Sequence, residues 1–291
     1  MKNIKFIPNS VCWNITSRCN ETCKFCYRET NMKDLTFEEQ KKVIDVLASV
    51  GILKITFAGG EPLLIPRIND LILYAKSKGL VVSMTSNAIL IDEKKLNFLL
   101  ENLDWLTLSL DGATDEIQTL MTRHSKHATK VREILEYASA YKKGKCRIKI
   151  NTVVSKKNYK NVQDIADLVK KYNVTRWKLM QFTPLRSYAK EAQGEFEIRN
   201  DEFVIAFNKA KLAMGSKANR VEATCSDDIE QETFTVFPNG DVRVAKNHQE
   251  KTIGNLLQDS TDKIWARDGR EYKQLNMRTK FLERNIDLIA C

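Results

Sequence analysis

Residues 11–26 read Val-Cys-Trp-Asn-Ile-Thr-Ser-Arg-Cys-Asn-Glu-Thr-Cys-Lys-Phe-Cys. The first six, Val11–Thr16, read as a strand. The rest is a loop that sets Cys19, Cys23 and Cys26 apart by three and two residues. A second strand and loop follow at Lys54–Ala58 and Gly59-Gly60-Glu61-Pro62. Between them Thr36–Val50 reads as a helix: Thr36 with Glu39 forms a capping box, and Gly51 stops it. The alternation goes on with helix Arg67–Lys78, strand Val81–Thr85 and helix Asp92–Glu101. Strand Trp105–Leu110, helix Lys130–Lys142, strand Arg147–Val154, helix Val162–Tyr172 and strand Trp177–Phe182 complete it. Strands alternating with helices pair in parallel through crossover helices. Six such steps predict an α/β fold, a partial (β/α)6 TIM-like barrel open on one side.

Beyond Pro184 the pattern changes. Leu185–Arg199 is polar and reads as a loop or lid, and Asp201–Met214 as a helix. Phe234–Phe237 and Val242–Val244 flank a turn and predict a hairpin. Helical character returns around Asp259–Ala266. The expected division is a barrel core over residues 1–190, with residues 191–291 as a C-terminal extension packed on it in the same domain. The 291 residues suffice for a sizeable core. No run reaches the length of a membrane span. Met1–Pro8 lacks the apolar stretch of a secretory signal. The expectation is a cytoplasmic protein with no membrane partner.

The seven cysteines are Cys12, Cys19, Cys23, Cys26, Cys146, Cys225 and Cys291. An odd count without a secretory signal argues against a disulfide framework. Three clustered cysteines past a first strand, at the carboxyl end where α/β barrels place their sites, point to metal or cluster ligation. A cubane with four irons and three local thiolates keeps one iron open. Zinc with His124 or His127 as a fourth ligand uses the same core. In the second loop Gly59 and Gly60 permit close backbone approach. Glu61 can accept a hydrogen bond from a bound ammonium group, and Pro62 sets the exit. The net charge of +10, from 47 Lys and Arg against 37 Asp and Glu, suits either a lysine-rich surface or a polyanionic partner.

On Cys19, Cys23, Cys26 and the Gly-Gly-Glu-Pro of residues 59–62, the chain resembles the radical S-adenosylmethionine (SAM) superfamily. The resemblance runs over roughly residues 10–185. It implies a [4Fe–4S] cluster on the three cysteines, and SAM chelated to the open iron. Reductive cleavage of SAM would yield a 5′-deoxyadenosyl radical that abstracts a substrate hydrogen. By position, Gly60 and Glu61 would contact the SAM amino group. Ser86, Asn87, Ser109 and Arg123 would hold its ribose and carboxylate. Tyr27, next to Cys26, sits where the family carries an aromatic against adenine.

Strand alternation puts Lys54, Thr56 and Ala58 on one face, Arg147, Lys149 and Asn151 on another, and Arg176, Lys178 and Met180 on a third. The opposite faces are apolar and suit the helix layer. The polar faces then point inward and gather Lys54, Lys149, Arg176 and Lys178 around one cavity with few inward acids. Buried cations need partners, and a polyphosphate supplies them.

The runs Lys54–Pro62, Lys149–Val154 and Arg176–Gln181 are similar to those of viperin-like enzymes. That likeness implies conversion of a nucleoside triphosphate, CTP or UTP, to its 3′-deoxy-3′,4′-didehydro form in antiviral defence. Lys54, Lys149, Asn151, Arg176 and Lys178 would bind the nucleotide. Ala58, Phe182–Tyr188 and Phe234 depart from that pattern. An acidic flavodoxin or ferredoxin is the expected electron donor, and no direct nucleic-acid binding is expected. The alternative is a radical SAM enzyme acting on a peptide or another small molecule. There Cys225 is either a hydrogen-atom donor or an inert buried thiol. A non-catalytic iron–sulfur or zinc protein is the third reading.

Overall fold

A computed structural model describes residues 8–226, 234–246 and 249–266. Cys291 and most of Met1–Pro8 lie outside the described residues. The six expected strands are β1 (Ser10–Thr16), β2 (Lys54–Gly59), β3 (Val81–Ser86), β4 (Trp105–Ser109), β5 (Arg147–Val154) and β6 (Arg176–Gln181). They pair in chain order, each parallel to the next. The crossover helices are α1 (Phe37–Ser49), α2 (Ile68–Ser77), α3 (Glu93–Asn102), α4 (Asp115–Leu120), α5 (His127–Ala140) and α6 (Ile165–Lys171). Alternation along the strands builds the core. Ile55 and Phe57 are fully buried, and the Trp13 ring packs tilted against Phe57, 5.9 Å between centres. The apolar stripe Val43, Ile44 and Leu47 of α1 is fully buried as well. Each such side chain contributes about 1.5–3 kcal/mol on burial. The Thr36–Glu39 capping box forms as expected.

The sheet does not end with β6. Among the described residues it has ten strands in the order β10-β9-β8-β1-β2-β3-β4-β5-β6-β7. Here β7 is Val221–Thr224, β8 Phe234–Val236, β9 Asp241–Lys246 and β10 Gln249–Asn255. Strand β7 runs parallel to β6, and β8 parallel to β1. The expected hairpin is β8–β9, and β10 continues it antiparallel. Strands β7 and β10 are not apparent in the sequence. Their residues are polar and short-patterned, and they become strands by pairing with edges already formed.

The segment expected as a loop or lid is instead two short helices, α7 (Ser187–Glu191) and α8 (Gln193–Phe196). Its polarity conceals three anchors: Ala189 and Phe196 are fully buried and Ala192 nearly so. Phe196 lies 5.8 Å from both Phe25 and Phe182, which ties the segment to the cysteine loop and to the end of β6. Helix α9 (Asn200–Met214) follows, and α10 (Thr261–Ala266) ends the described chain.

Candidate active site

Two joined cavities run through the inside of the open barrel. The upper, about 240 Å³, lies at the carboxyl ends of the strands. The lower, about 260 Å³, lies toward their amino ends. Cys12, Tyr27, Thr85, Asn151 and Met180 border both.

Cys19, Cys23 and Cys26 line the upper cavity. Their loop is turned by the Cys26 N–H, which donates to the Cys23 carbonyl at 3.1 Å. The loop after β2 is laced to its start. The Gly60 N–H donates to the Thr16 carbonyl at 2.7 Å, and the Glu61 N–H to the Arg18 carbonyl at 2.8 Å. A Cβ on Gly60 would stand 1.8 Å from the Arg18 carbonyl oxygen, so backbone-to-backbone contact requires glycine there. Ser86, Asn87, Ser109 and Arg123 line the same cavity, as does Tyr27.

Glu61 and Pro62 stand just behind its lining, with the Glu61 carboxylate hydrogen-bonded to Ser86 and Asn87 of the wall. Glu61 is fully buried. The Ser86 hydroxyl donates to its two oxygens at 3.0 and 3.1 Å, the Asn87 N–H at 2.8 Å, and the Leu63 N–H at 3.1 Å. Burial outweighs these donors and pushes the carboxyl up to about 7. The side chain braces the turn after β3 from behind. Gly59 and Gly60 are the part of this loop on the cavity wall.

The lower cavity gathers Lys54, Lys149, Asn151, Arg176 and Lys178. Burial first, and then Lys178 and Lys54, hold the Lys149 ammonium well below the usual lysine range. The nearly buried Trp105 indole forms part of the wall, with the Arg176 and Lys54 cations at 5.0 and 5.4 Å from its ring centre. Arg147 shares their strand face but lies at the Trp105 ring, 5.3 Å away, outside the cavity lining. An acid joins this group: Glu222 of β7, 3.3 Å from Arg176. It was not foreseen because its strand was not. Cys12, outside the three-cysteine loop, borders both cavities. Alternation on β1 and β4 is the signal that finds Cys12 and Trp105. Cys225 is half-buried just past β7 and lines neither cavity.

The model of the Radical SAM superfamily matches residues 13–175. The chain belongs to the radical SAM superfamily. The S-adenosylmethionine-dependent nucleotide dehydratase of Flammeovirga pacifica is 32% identical over 207 residues, 67% of this chain and 69% of that protein. The S-adenosylmethionine-dependent nucleotide dehydratase RSAD2 of Danio rerio is 30% identical over 209 residues, 68% of this chain but only 56% of that one. Among solved structures, SuiB of Streptococcus suis bound to precursor peptide SuiA matches 90% of this chain and 65% of its own, with TM-score 0.74 at 13% identity. That last likeness is one of fold.

As a radical SAM enzyme the protein uses a [4Fe–4S] cluster and SAM. The residues present fit both. Three thiols face one cavity, with the Asn87 amide and the Arg123 guanidinium at two of them. Among the described residues no three His, Cys, Asp or Glu side chains converge tightly enough to grip a single ion. A four-iron cubane spreads its thiolates wider than one ion does. The superfamily assignment thus sets zinc aside. His127 is fully buried, outside the cavity lining. No helix among the described residues is long and apolar enough to cross a membrane.

Proposed function

We propose that this radical SAM enzyme is a viperin-like nucleotide dehydratase, acting on CTP or UTP to form the 3′-deoxy-3′,4′-didehydro nucleotide in antiviral defence. The observation that carries the reading is the cation-rich chamber lying directly below the chamber of the cysteines. In it Lys54, Lys149, Arg176 and Lys178 hold the triphosphate, and Arg176 offers a planar fork to it. Asn151 borders both chambers, and its Oδ1 is buried without a hydrogen-bond partner. It is placed to accept a ribose hydroxyl where the two meet. Gly60 presents its backbone to the SAM amino group. Ser86, Asn87, Ser109 and Arg123 take its ribose and carboxylate, and Tyr27 its adenine. When bound, cluster and SAM would supply the 5′-deoxyadenosyl radical that takes the C4′ hydrogen; the 3′ hydroxyl would then leave with a proton as water, and one electron from the donor that reduces the cluster would close the 3′,4′ double bond. The relatives' names support the substrate class.

The electron donor is an acidic flavodoxin or ferredoxin. Cys19 borders the cysteine chamber on one side and, on the other, an open cleft of about 590 Å³ lined by Arg18, Arg28, Lys33 and Tyr188. That cleft is where such a donor comes nearest to a cluster ligand.

The test is SAM cleavage by the anaerobically reconstituted protein with each nucleoside triphosphate in turn. CTP or UTP is expected to stimulate 5′-deoxyadenosine formation; no stimulation by any of the four refutes the reading. The Lys149→Ala/Arg176→Ala variant is expected to lose that stimulation and keep the slow uncoupled cleavage. Unchanged nucleotide affinity in that variant refutes the assignment of the lower chamber.

A further inference from the structure

We propose that Asn87 and Arg123 are N–H donors that raise the reduction potential of the bound cluster, and that Glu61 and Asp111 are the positioning residues that aim them. The inference rests on cluster binding, which follows from superfamily membership, and not on the nucleotide reading.

Asn87 stands just past β3. Its Nδ2 lies 3.6 Å from Cys19 Sγ and 2.8 Å from Asn20 Oδ1. The other end of the amide fixes this orientation: Oδ1 accepts the Ile89 N–H at 3.1 Å, so the NH₂ group must face the cysteine loop. The Asn87 backbone N–H donates to Glu61 Oε2 at 2.8 Å, and the Ser86 hydroxyl to the same carboxylate. The acid of the Gly-Gly-Glu-Pro loop therefore holds the turn that presents the amide to Cys19.

The second donor reaches the second sulfur. Arg123 Nη1 lies 3.7 Å from Cys23 Sγ. Its Nε donates to Asp111 Oδ2 at 2.6 Å, while Asp111 Oδ1 accepts the Val153 N–H at 2.8 Å and is thereby fastened to β5. The guanidinium carbon lies 5.0 Å from the centre of the Phe25 ring. Asp111 is fully buried and the Arg123 side chain is 9% exposed, so the orientation is rigid. Glu21 Oε2 lies 3.9 Å from the same sulfur and accepts the His124 N–H at 3.2 Å. That carboxylate opposes Arg123. The donor on Cys19 is thus neutral, and the one on Cys23 is a cation set against an acid.

A hydrogen bond to a metal-bound thiolate draws electron density from sulfur and favours the more negative, reduced cluster. Removing either donor therefore lowers the potential. The experiment is an EPR-monitored potentiometric titration of the reconstituted protein without SAM or nucleotide, at matched iron and sulfide content. Asn87→Ala and Arg123→Gln are each expected to lower the midpoint. The reduced-to-oxidised ratio at a fixed potential should fall about tenfold, ~59 mV for a one-electron couple. Asn87→Asp keeps the shape but replaces the donor by a charge, and is expected to lower it further than Asn87→Ala. Asp111→Asn should move with Arg123→Gln, and Arg123→Lys should recover part of the loss. Couplings of the reduced cluster to exchangeable protons, read by ENDOR in water against D₂O, should lose one component in Asn87→Ala. Wild-type potentials at full cluster content, or equal effects of Asn87→Asp and Asn87→Ala, would overturn the proposal. Should a truncated variant fail to hold the cluster, the conservative Asn87→Asp and Arg123→Lys decide. Because nucleotide is absent throughout, failure of the dehydratase reading leaves the result standing.

Discussion

Lys149 shows how a residue's chemistry depends on what surrounds it. Its ammonium is buried among Lys178, Lys54 and Arg176 with Glu222 as partial relief, and so its proton is held weakly. A triphosphate entering the chamber reverses that balance and stabilises the charged form. On the proposed nucleotide reading, binding is therefore expected to raise the proton occupancy of Lys149, and affinity to fall as pH rises. Calorimetry in buffers of different ionisation enthalpy checks this: proton release, or no exchange, contradicts it. Lys149→Arg, which stays charged, should bind without the uptake. The inward position of Lys149 was legible from alternation along its strand, which is a two-residue period. Its weak hold on the proton was not legible, because that depends on neighbours from three other strands. Glu61 makes the same point in reverse. Its residue type and place suit an ammonium contact, and its hydrogen bonds to Ser86, Asn87 and Leu63 become visible only in the fold.

At the scale of elements, the C-terminal strands act on the cysteine loop from a distance in sequence. Arg186 forms a two-pronged ion pair with Glu250 of β10 and donates to the Tyr27 carbonyl at 3.0 Å. Arg243 of β9 donates to Glu29 at 2.7 Å and stacks 4.2 Å from the Phe237 ring centre. The Arg186 and Glu250 side chains are 8% and 15% exposed. Breaking one partner of so buried a pair costs about 3–5 kcal/mol, since the other charge is left uncompensated. Glu250→Ala is expected to lower the urea midpoint accordingly. An apolar double replacement, Arg186→Met/Glu250→Leu, should restore much of the loss. A midpoint unchanged in Glu250→Ala would show that the hairpin is not anchored here. The hairpin turn was legible in Pro238-Asn239-Gly240-Asp241, which is local. That β8 pairs with β1, and that β10 delivers an acid beneath Tyr27, was not.

Across the whole molecule, two groups of positive charge border cavities. One lines the lower chamber, and the other, Arg18, Arg28 and Lys33, faces the cleft beside Cys19. On the proposed donor reading, an acidic carrier approaching that cleft would be steered by the second group, and salt would screen such steering within a Debye length of about 8–10 Å. Cluster reduction by a flavodoxin or ferredoxin is therefore expected to slow several-fold between low and physiological ionic strength. Arg28→Glu and Lys33→Glu should deepen that loss, and leave reduction by a small viologen without it. Stopped-flow reduction rates decide. Equal salt dependence for both reductants would remove the cleft from the electron path.

By itself the sequence determined the six strand–helix steps, the three-cysteine loop, the glycine pair and the inward face of cations. All of these follow from local spacing and from periods of two and about four residues. The tertiary structure alone decided that the sheet among the described residues extends to ten strands, that the buried Glu61 carboxylate is held by Ser86 and Asn87, that Cys12 reaches the cavity, and that Glu222 pairs with Arg176. Those facts depend on which distant segments meet. Pairing with an existing sheet edge, or burial against a hydrogen-bond donor far along the chain, leaves no periodic mark in the residues themselves.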